Sequence, residues 1–348
     1  SVLIGGFTLL NDWMVRSEVR DALSKLYVRN LSTNKEEELI ITDEKVITPG
    51  ASLMQKNRNT NKLYVAYHSP KTPGKSYIYD IVTKEKKLVK EEEVPSGHNP
   101  NDYLVERLSC DSHDGKKIPL TITRHKKTKL DGSANLLLYA YGSYGASMGP
   151  GFSSSRLSLI NRNIIWVTAH IRGGMERGMN WWKGGKMLNK KNTFKDYVST
   201  AKFLIEKKYT DKGKIIGMGG SAGGLLMGVV ANEDPELFLG MIMTVPFVDT
   251  LTTNLNHSLP LTVAEFNEFG NAKENKEHFD YIRSYSPYEN IKKMDYPHLF
   301  ITTSLSDNRV FYDEPTKLTA KLRDYKTDNN LLLLKTEMKA GHGGKTGR

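Results

Sequence analysis

Eight residues, Gly217-Met218-Gly219-Gly220-Ser221-Ala222-Gly223-Gly224, lie between a predicted strand and a predicted helix and satisfy two chemical patterns at once. Gly217, Gly219 and Ala222 match G-x-G-x-x-G/A, in which a helix N-terminus would hold a dinucleotide pyrophosphate. Gly219, Ser221 and Gly223 match G-x-S-x-G, in which small flanking residues permit a strained strand-to-helix turn that lifts a serine oxygen above a sheet. The two patterns make different demands downstream. A dinucleotide site expects an acid about 20 residues on, at the end of the next strand, but that strand ends in Thr244-Val245-Pro246. A nucleophilic serine expects an acid and then a histidine, each on a loop after a strand.

Both partners are present. Ser304-Leu305-Ser306-Asp307 follows a predicted strand over His298–Thr303, and Ala340-Gly341-His342-Gly343-Gly344 follows one over Leu331–Lys335. A serine hydroxyl is a weak nucleophile until a base takes its proton, and the base needs an anion to fix its tautomer and stabilise its cation. The order Ser221, Asp307, His342 therefore fits acyl transfer, with Ser221 attacking a carbonyl, His342 as base and Asp307 as orienting acid. Of the nine histidines only His342 sits in a glycine-rich loop after a late strand; His170, ending an apolar strand, reads as structural. The oxyanion of the tetrahedral intermediate needs donors, and the elbow supplies the backbone N–H of Ala222. A second donor must come from elsewhere, and the segment Tyr139–Gly145 offers a phenolic hydroxyl or a backbone amide.

These loops must be held by regular elements. After residue 100, short apolar runs at Leu136–Tyr141, Ile164–His170, Lys214–Met218, Gly240–Val245, His298–Thr303 and Leu331–Lys335 alternate with helical patterns. Phe194, Tyr197, Val198, Ala201 and Leu204 fall at helical spacing behind the cap candidates Asn192 and Thr193, and a second helix is predicted over Glu314–Tyr325, with Pro315 in its first turn. Alternating strands and helices predict an α/β fold, a largely parallel sheet covered on both faces.

The first ninety residues follow another rule. Lys25, Tyr27, Val28, Asn30, Leu31 and Thr33 recur fifty positions later as Lys75, Tyr77, Ile78, Asp80, Ile81 and Thr83, and Asn11, Trp13 and Val15 recur as Asn61, Leu63 and Val65. Each unit alternates like short strands, at Leu63–Tyr67 and Ser76–Val82 for example, and the period is near that of one four-stranded propeller blade. Two blades cannot close a ring of about four to eight, so a partial propeller is expected, with a pair of β-meanders in one small sheet as the alternative. The pattern stops in the charged, proline- and glycine-containing stretch Glu91–Asn101. That places an expected boundary between a propeller part over 1–95 and an α/β domain over 96–348.

Composition bounds what remains. The chain has 348 residues, 38% hydrophobic and 26% charged, the profile of an ordinary globular protein. A single cysteine, Cys110, excludes an internal disulfide, a thiolate zinc site and an iron–sulfur cluster, and suits a reducing, cytoplasmic setting. The net charge of +11 raises a nucleic-acid partner. The basic residues are dispersed, however: Lys86, Lys87 and Lys90 run into Glu91, Glu92 and Glu93, and Lys126, Lys127 and Lys129 lie in a polar connector, so a solvated surface is expected. The apolar run Leu136–Tyr141 is far shorter than the roughly 20 residues of a membrane-spanning helix, and Ser1–Leu10 lacks the basic leader of a signal peptide. Neither a membrane nor a nucleic acid is expected as partner.

The phrases Tyr141-Gly142-Ser143-Tyr144-Gly145-Ala146, Arg172-Gly173-Gly174, Asn192-Thr193-Phe194, Gly219-Gly220-Ser221-Ala222-Gly223-Gly224, Ser284-Tyr285-Ser286-Pro287-Tyr288 and Gly341-His342-Gly343-Gly344 together resemble the oligopeptidase B branch of the prolyl oligopeptidase family of serine peptidases. The resemblance implies an α/β-hydrolase domain capped by a seven-bladed propeller that admits short peptides, with no cofactor and no metal. It implies the triad Ser221, Asp307 and His342, with Tyr141 as side-chain oxyanion donor beside the Ala222 amide, and Arg309 holding a substrate backbone carbonyl. It further implies cleavage after arginine or lysine, with Glu265 matching an acid of the primary specificity pocket. A second family acid stands here as Asn267, and two aspartates of a neighbouring basic subsite stand as Gly149 and Gly151, so a single basic residue is expected to suffice. Family members carry further blades and a hydrolase segment before Ser1 and a closing helix after Arg348, so this chain is expected to be the C-terminal half, about two blades and most of one hydrolase domain. A non-catalytic remnant and a small-ester hydrolase are the competing expectations, and the oligomeric state is not indicated.

Overall fold

The structure is a computed structural model describing residues 2–54 and 56–344. The fifty-residue repeat folds into two separate four-stranded antiparallel meanders, not one small sheet. The first holds β1 (Leu3–Leu9), β2 (Trp13–Arg20), β3 (Leu23–Asn30) and β4 (Glu36–Glu38), and the second holds β5 (Thr48–Leu53), β6 (Lys62–His68), β7 (Lys75–Asp80) and β8 (Lys86–Glu91). The repeated Asn30 and Asp80 build the same turn in each. Asn30 Oδ1 accepts from the amides of Ser32 and Thr33, and Asp80 Oδ1 from those of Val82 and Thr83, which is why a short polar residue recurs there. Val15, Leu26 and Val28 of the first meander share a core with Leu63, Val65 and Tyr79 of the second. The repeat is inexact in burial: Leu31 is exposed, while its counterpart Ile81 is buried.

The third sheet has eight strands in the order β16-β15-β14-β13-β11-β12-β10-β9. These are β9 (Tyr103–Asp111), β10 (Lys117–His125), β11 (Leu136–Tyr139), β12 (Ile165–Ala169), β13 (Ile215–Gly220), β14 (Phe238–Thr244), β15 (His298–Ser304) and β16 (Leu332–Glu337). β11 to β16 run parallel, while β9 and β10 form an antiparallel hairpin at one edge, beyond the six strands that the apolar runs predict. The uninterrupted Leu136-Leu137-Leu138 run suits its central place, because that strand is covered on both faces.

The predicted helices form, with one change. The first spans Lys191–Glu206, so its cap is Lys190, and Asn192 and Thr193 lie inside the first turn. Their side chains serve tertiary contacts: Asn192 Nδ2 donates to Gly184 O, and Thr193 Oγ1 donates to Arg172 O. Tyr197 on this helix is wholly buried and donates its hydroxyl to Leu138 O at 2.7 Å, fixing the helix on the sheet. The second runs over Asp313–Tyr325, with Pro315 in its first turn. No helix among the described residues is long and apolar enough to cross a membrane.

The meanders touch the loops that connect the strands of the large sheet at defined points. Asp21 and Ala22, both in left-handed conformation, form the tip between β2 and β3. There Ala22 N donates to Glu176 O at 2.9 Å and Arg177 Nε donates to Asp21 Oδ1 at 2.7 Å. His68, ending β6, accepts at Nδ1 from Phe152 N.

Candidate active site

Parallel strands all end on the same edge of their sheet, and ligand sites of such sheets form outside those carboxyl ends. Ser221 follows β13 directly, Asp307 follows β15, His342 follows β16, and Tyr141 lies two residues beyond β11. The predicted chemistry-bearing side chains thus leave one edge.

Ser221 joins β13 to the helix Ala222–Glu233 with φ 53° and ψ −122°, a strained geometry for a residue with a Cβ. Its carbonyl accepts from Gly224 N and Phe247 N, and its amide donates to Thr244 O. The turn is possible because its neighbours lack side chains: a Cβ on Gly219 would lie 2.2 Å from Gly223 O, and one on Gly224 2.3 Å from Pro246 Cβ. Ala222 opens the helix, where backbone amides have no intrahelical acceptor. The hydroxyl of Tyr141 lies near Ser221; burial raises its pKa, and the neighbouring Ser221 side chain partly opposes that. An oxyanion at this point would find one amide and one phenol.

Asp307 is buried, and each oxygen has a separate task. Oδ1 accepts from the amides of Arg309 at 2.9 Å and Val310 at 3.1 Å, closing its own loop. Oδ2 lies 2.8 Å from His342 Nδ1, the geometry of an acid that orients an imidazole. The two loops are also tied through their backbones, Leu305 N to Glu337 O and Ser306 N to Ala340 O. No hydrogen bond joins Ser221 to His342 among the described residues. His170 is a core residue: wholly buried, it pairs through Nε2 with Thr121 Oγ1 at 2.8 Å.

Glu265 caps the short helix Phe266–Phe269 and accepts at 2.6 Å from the hydroxyl of Tyr144, in the turn that follows Tyr141. Burial raises its pKa and nearby Glu268 pushes the same way, against the Tyr144 hydrogen bond. Asn267 is exposed, and so is Arg309, whose guanidinium has no partner among the described residues. A Cβ on Gly149 would meet Thr48 Oγ1, and one on Gly151 would meet the His68 ring, so both glycines border the second meander. No group of three or more possible metal ligands occurs among the described residues.

The motifs do not point to a buried pair beneath this site, Lys190 and Glu268. Burial brings the Lys190 ammonium down to about 8. Glu268 could have been noticed as a carboxylate three positions beyond Glu265, but nothing in the sequence separates Lys190 from the other lysines.

Known proteins share this arrangement of elements. The sequence profile described as Prolyl oligopeptidase family matches residues 150–348, and the profile described as Prolyl oligopeptidase, N-terminal beta-propeller domain matches residues 1–92. Dipeptidyl aminopeptidase BI of Pseudoxanthomonas mexicana is 41% identical over 100% of this chain and 47% of its own length, and Protease 2 of Moraxella lacunata is 44% identical over 86% and 43%. The chain spans about half the length of the curated relatives it matches. Oligopeptidase B from Trypanosoma brucei, solved with covalently bound antipain in a closed form, superposes with a TM-score of 0.92 at 38% identity, covering 99% of this chain and 49% of that one. Oligopeptidase B from Leishmania major gives 0.91 at 35%, covering 98% and 48%. With two propeller-type meanders leading into an α/β-hydrolase sheet, this chain belongs to the prolyl oligopeptidase family.

Proposed function

We propose that this chain carries the catalytic machinery of a serine endopeptidase that hydrolyses short peptides after arginine or lysine, without a cofactor. The observation that carries the reading is the Asp307–His342 contact of 2.8 Å at the strand edge from which Ser221 rises on its strained turn. Ser221 Oγ attacks the scissile carbonyl carbon as His342 Nε2 takes its proton, and Asp307 stabilises the imidazolium. The oxyanion accepts from Ala222 N–H and the Tyr141 hydroxyl. The imidazolium then gives its proton to the leaving amine, and a water activated by His342 hydrolyses the acyl-enzyme. Glu265 pairs with the substrate guanidinium or ammonium, a charge-assisted contact strengthened by its partial burial. Exposed Arg309 holds a substrate carbonyl. We place the propeller part at 1–95, the hydrolase part at 96–348, and the protein in the cytoplasm, on its lone buried Cys110.

The test is labelling of Ser221 by an uncharged fluorophosphonate, with Ser221→Ala as control. Absence of labelling in folded protein overturns the catalytic reading in favour of a non-catalytic remnant, while turnover of simple esters with none of arginyl peptides leaves an ester hydrolase. The 41% identity to a dipeptidyl aminopeptidase over the whole chain favours a second reading, release of dipeptides from a free N-terminus. Equal cleavage of N-blocked and free arginyl peptides excludes it.

A further inference from the structure

The turn that carries the oxyanion phenol is strained and has to be held. Gly142, Tyr144 and Gly145 all have left-handed φ values, 71°, 58° and 67°, and Tyr144 adopts this conformation despite its Cβ. Beneath the turn lies an ion pair almost wholly removed from water, with Lys190 1% and Glu268 3% exposed. Lys190 Nζ donates to Gly142 O at 2.7 Å and to Ser143 Oγ at 2.6 Å, and lies 3.6 Å from Glu268 Oε1. Glu268 Oε1 accepts from Tyr144 N at 2.9 Å, and its Oε2 from Trp182 Nε1 at 2.8 Å. The pair therefore grips both ends of the segment Gly142-Ser143-Tyr144, through a carbonyl on one side and an amide on the other.

Stability alone is a poor reason for such a pair. Removing two charges from water costs several kcal/mol per ion, and well-packed apolar residues of similar volume often do as well or better. What an apolar pair cannot supply is a donor to Gly142 O and an acceptor for Tyr144 N, the groups that fix the path of the turn. The Tyr141 and Tyr144 rings are 6.3 Å apart, and Tyr144 meets Phe269 edge-on at 5.8 Å. Phe269 in turn lies 5.4 Å from Lys190 Nζ. A shift in the clamp would pass directly to the phenol above Ser221.

We infer that Lys190 and Glu268 are positioning residues of the oxyanion site, a buried clamp that holds the turn so that the Tyr141 hydroxyl stands ready over Ser221. This rests on the serine-hydrolase reading above. On that reading neither residue touches substrate; each acts through Tyr141 and is felt in the transition state more than in binding.

The experiment is a double-mutant cycle on the full chain. Lys190→Met and Tyr141→Phe are made singly and together, with the Ser221 labelling rate by the uncharged fluorophosphonate and kcat and KM on an arginyl amide as readouts. Loss of one oxyanion donor costs about 10²–10³ in rate, so Tyr141→Phe sets the scale. Lys190→Met is expected to lower kcat and the labelling rate by roughly tenfold or more with KM changed less than about twofold, and to cost less than about twofold in the Tyr141→Phe background, the mark of residues acting as a unit. If Lys190→Met does not fold, Glu268→Gln, whose single carbonyl oxygen cannot serve both Tyr144 N and Trp182 Nε1 and which no longer pairs with the Lys190 ammonium, is expected to give the same pattern. Losses that multiply in full, or a raised KM at unchanged kcat, overturn the clamp while leaving the hydrolase reading intact. Wild-type protein that is not labelled at all overturns that reading, and the clamp with it.

Discussion

Asp307→Asn separates the two tasks of one buried carboxylate. In the native loop Oδ1 accepts the Arg309 and Val310 amides and Oδ2 faces His342 Nδ1. Asparagine keeps an oxygen for the two amides, so the loop should persist, but it turns an NH2 group toward the imidazole. His342 must then accept at Nδ1 and carry its proton on Nε2, where it cannot receive one from Ser221. The wrong tautomer costs a triad about 10⁴ in kcat, which is about 5 kcal/mol. The assay is kcat on an arginyl amide alongside thermal melting, with Asp307→Ala for comparison. Alanine also strands the two buried-side amides, at about 1–3 kcal/mol each, and should melt lower than asparagine. A loss below about tenfold in well-folded Asp307→Asn would refute the role given to Asp307.

Glu265→Gln removes the pocket charge and should lower kcat/KM for arginyl peptides by roughly ten- to a hundredfold, the worth of a charged hydrogen bond, with uncharged esters unaffected. Because burial raises the pKa of the Glu265 carboxyl, its charge is lost as pH falls through that raised value. Arginyl turnover should therefore decline in acid relative to an uncharged ester, and the difference should vanish in Glu265→Gln. Glu314, buried and pushed up to about 8, accepts from Val248 N, Asp249 N and the Thr253 hydroxyl. Glu314→Ala strands all three donors and should cost about 3 kcal/mol or more in denaturant unfolding.

What was legible in the sequence follows from the range of the forces involved. Strand ends, the elbow and the loops of Asp307 and His342 are written in local patterns, because small residues, apolar runs and turn formers act on their neighbours. The Asn30 and Asp80 turns show the same thing, a short polar side chain closing on its own backbone. Local pattern places the helix start at Asn192 or Thr193, which look like caps, but both are drawn into tertiary contacts with Gly184 and Arg172 and the cap falls at Lys190. The edge hairpin β9–β10 carries no continuous apolar run, and the burial of Cys110, Ile118, Leu120 and Ile122 comes from partners far along the chain. The Lys190–Glu268 pair is the extreme case, since its members are 78 positions apart and only the folded turn between them gives either a purpose.

Three of the left-handed non-glycine residues among those described stand at the strand edge that carries Ser221. Tyr144, Ser221 and Val245 follow β11, β13 and β14 with φ of 58°, 53° and 42°, and the last two are tied to neighbouring segments: Ser221 N donates to Thr244 O, Phe247 N to Ser221 O, and Val245 N to Thr302 O. Such conformations cost about 1–3 kcal/mol each and persist only where the surroundings enforce them. Ser221→Gly and Ser221→Ala should therefore part company. Both remove the hydroxyl and abolish labelling, but alanine keeps the strained Cβ while glycine releases it. Set against the extra unfolded-state freedom of glycine, about 0.5–1 kcal/mol, the net gain is about 1 kcal/mol, or roughly 2 °C in melting temperature. Glycine melting above alanine, and above wild type, would locate the strain in the nucleophile itself. Glycine melting with or below alanine would mean that the turn at Ser221 stores no strain and costs the fold nothing.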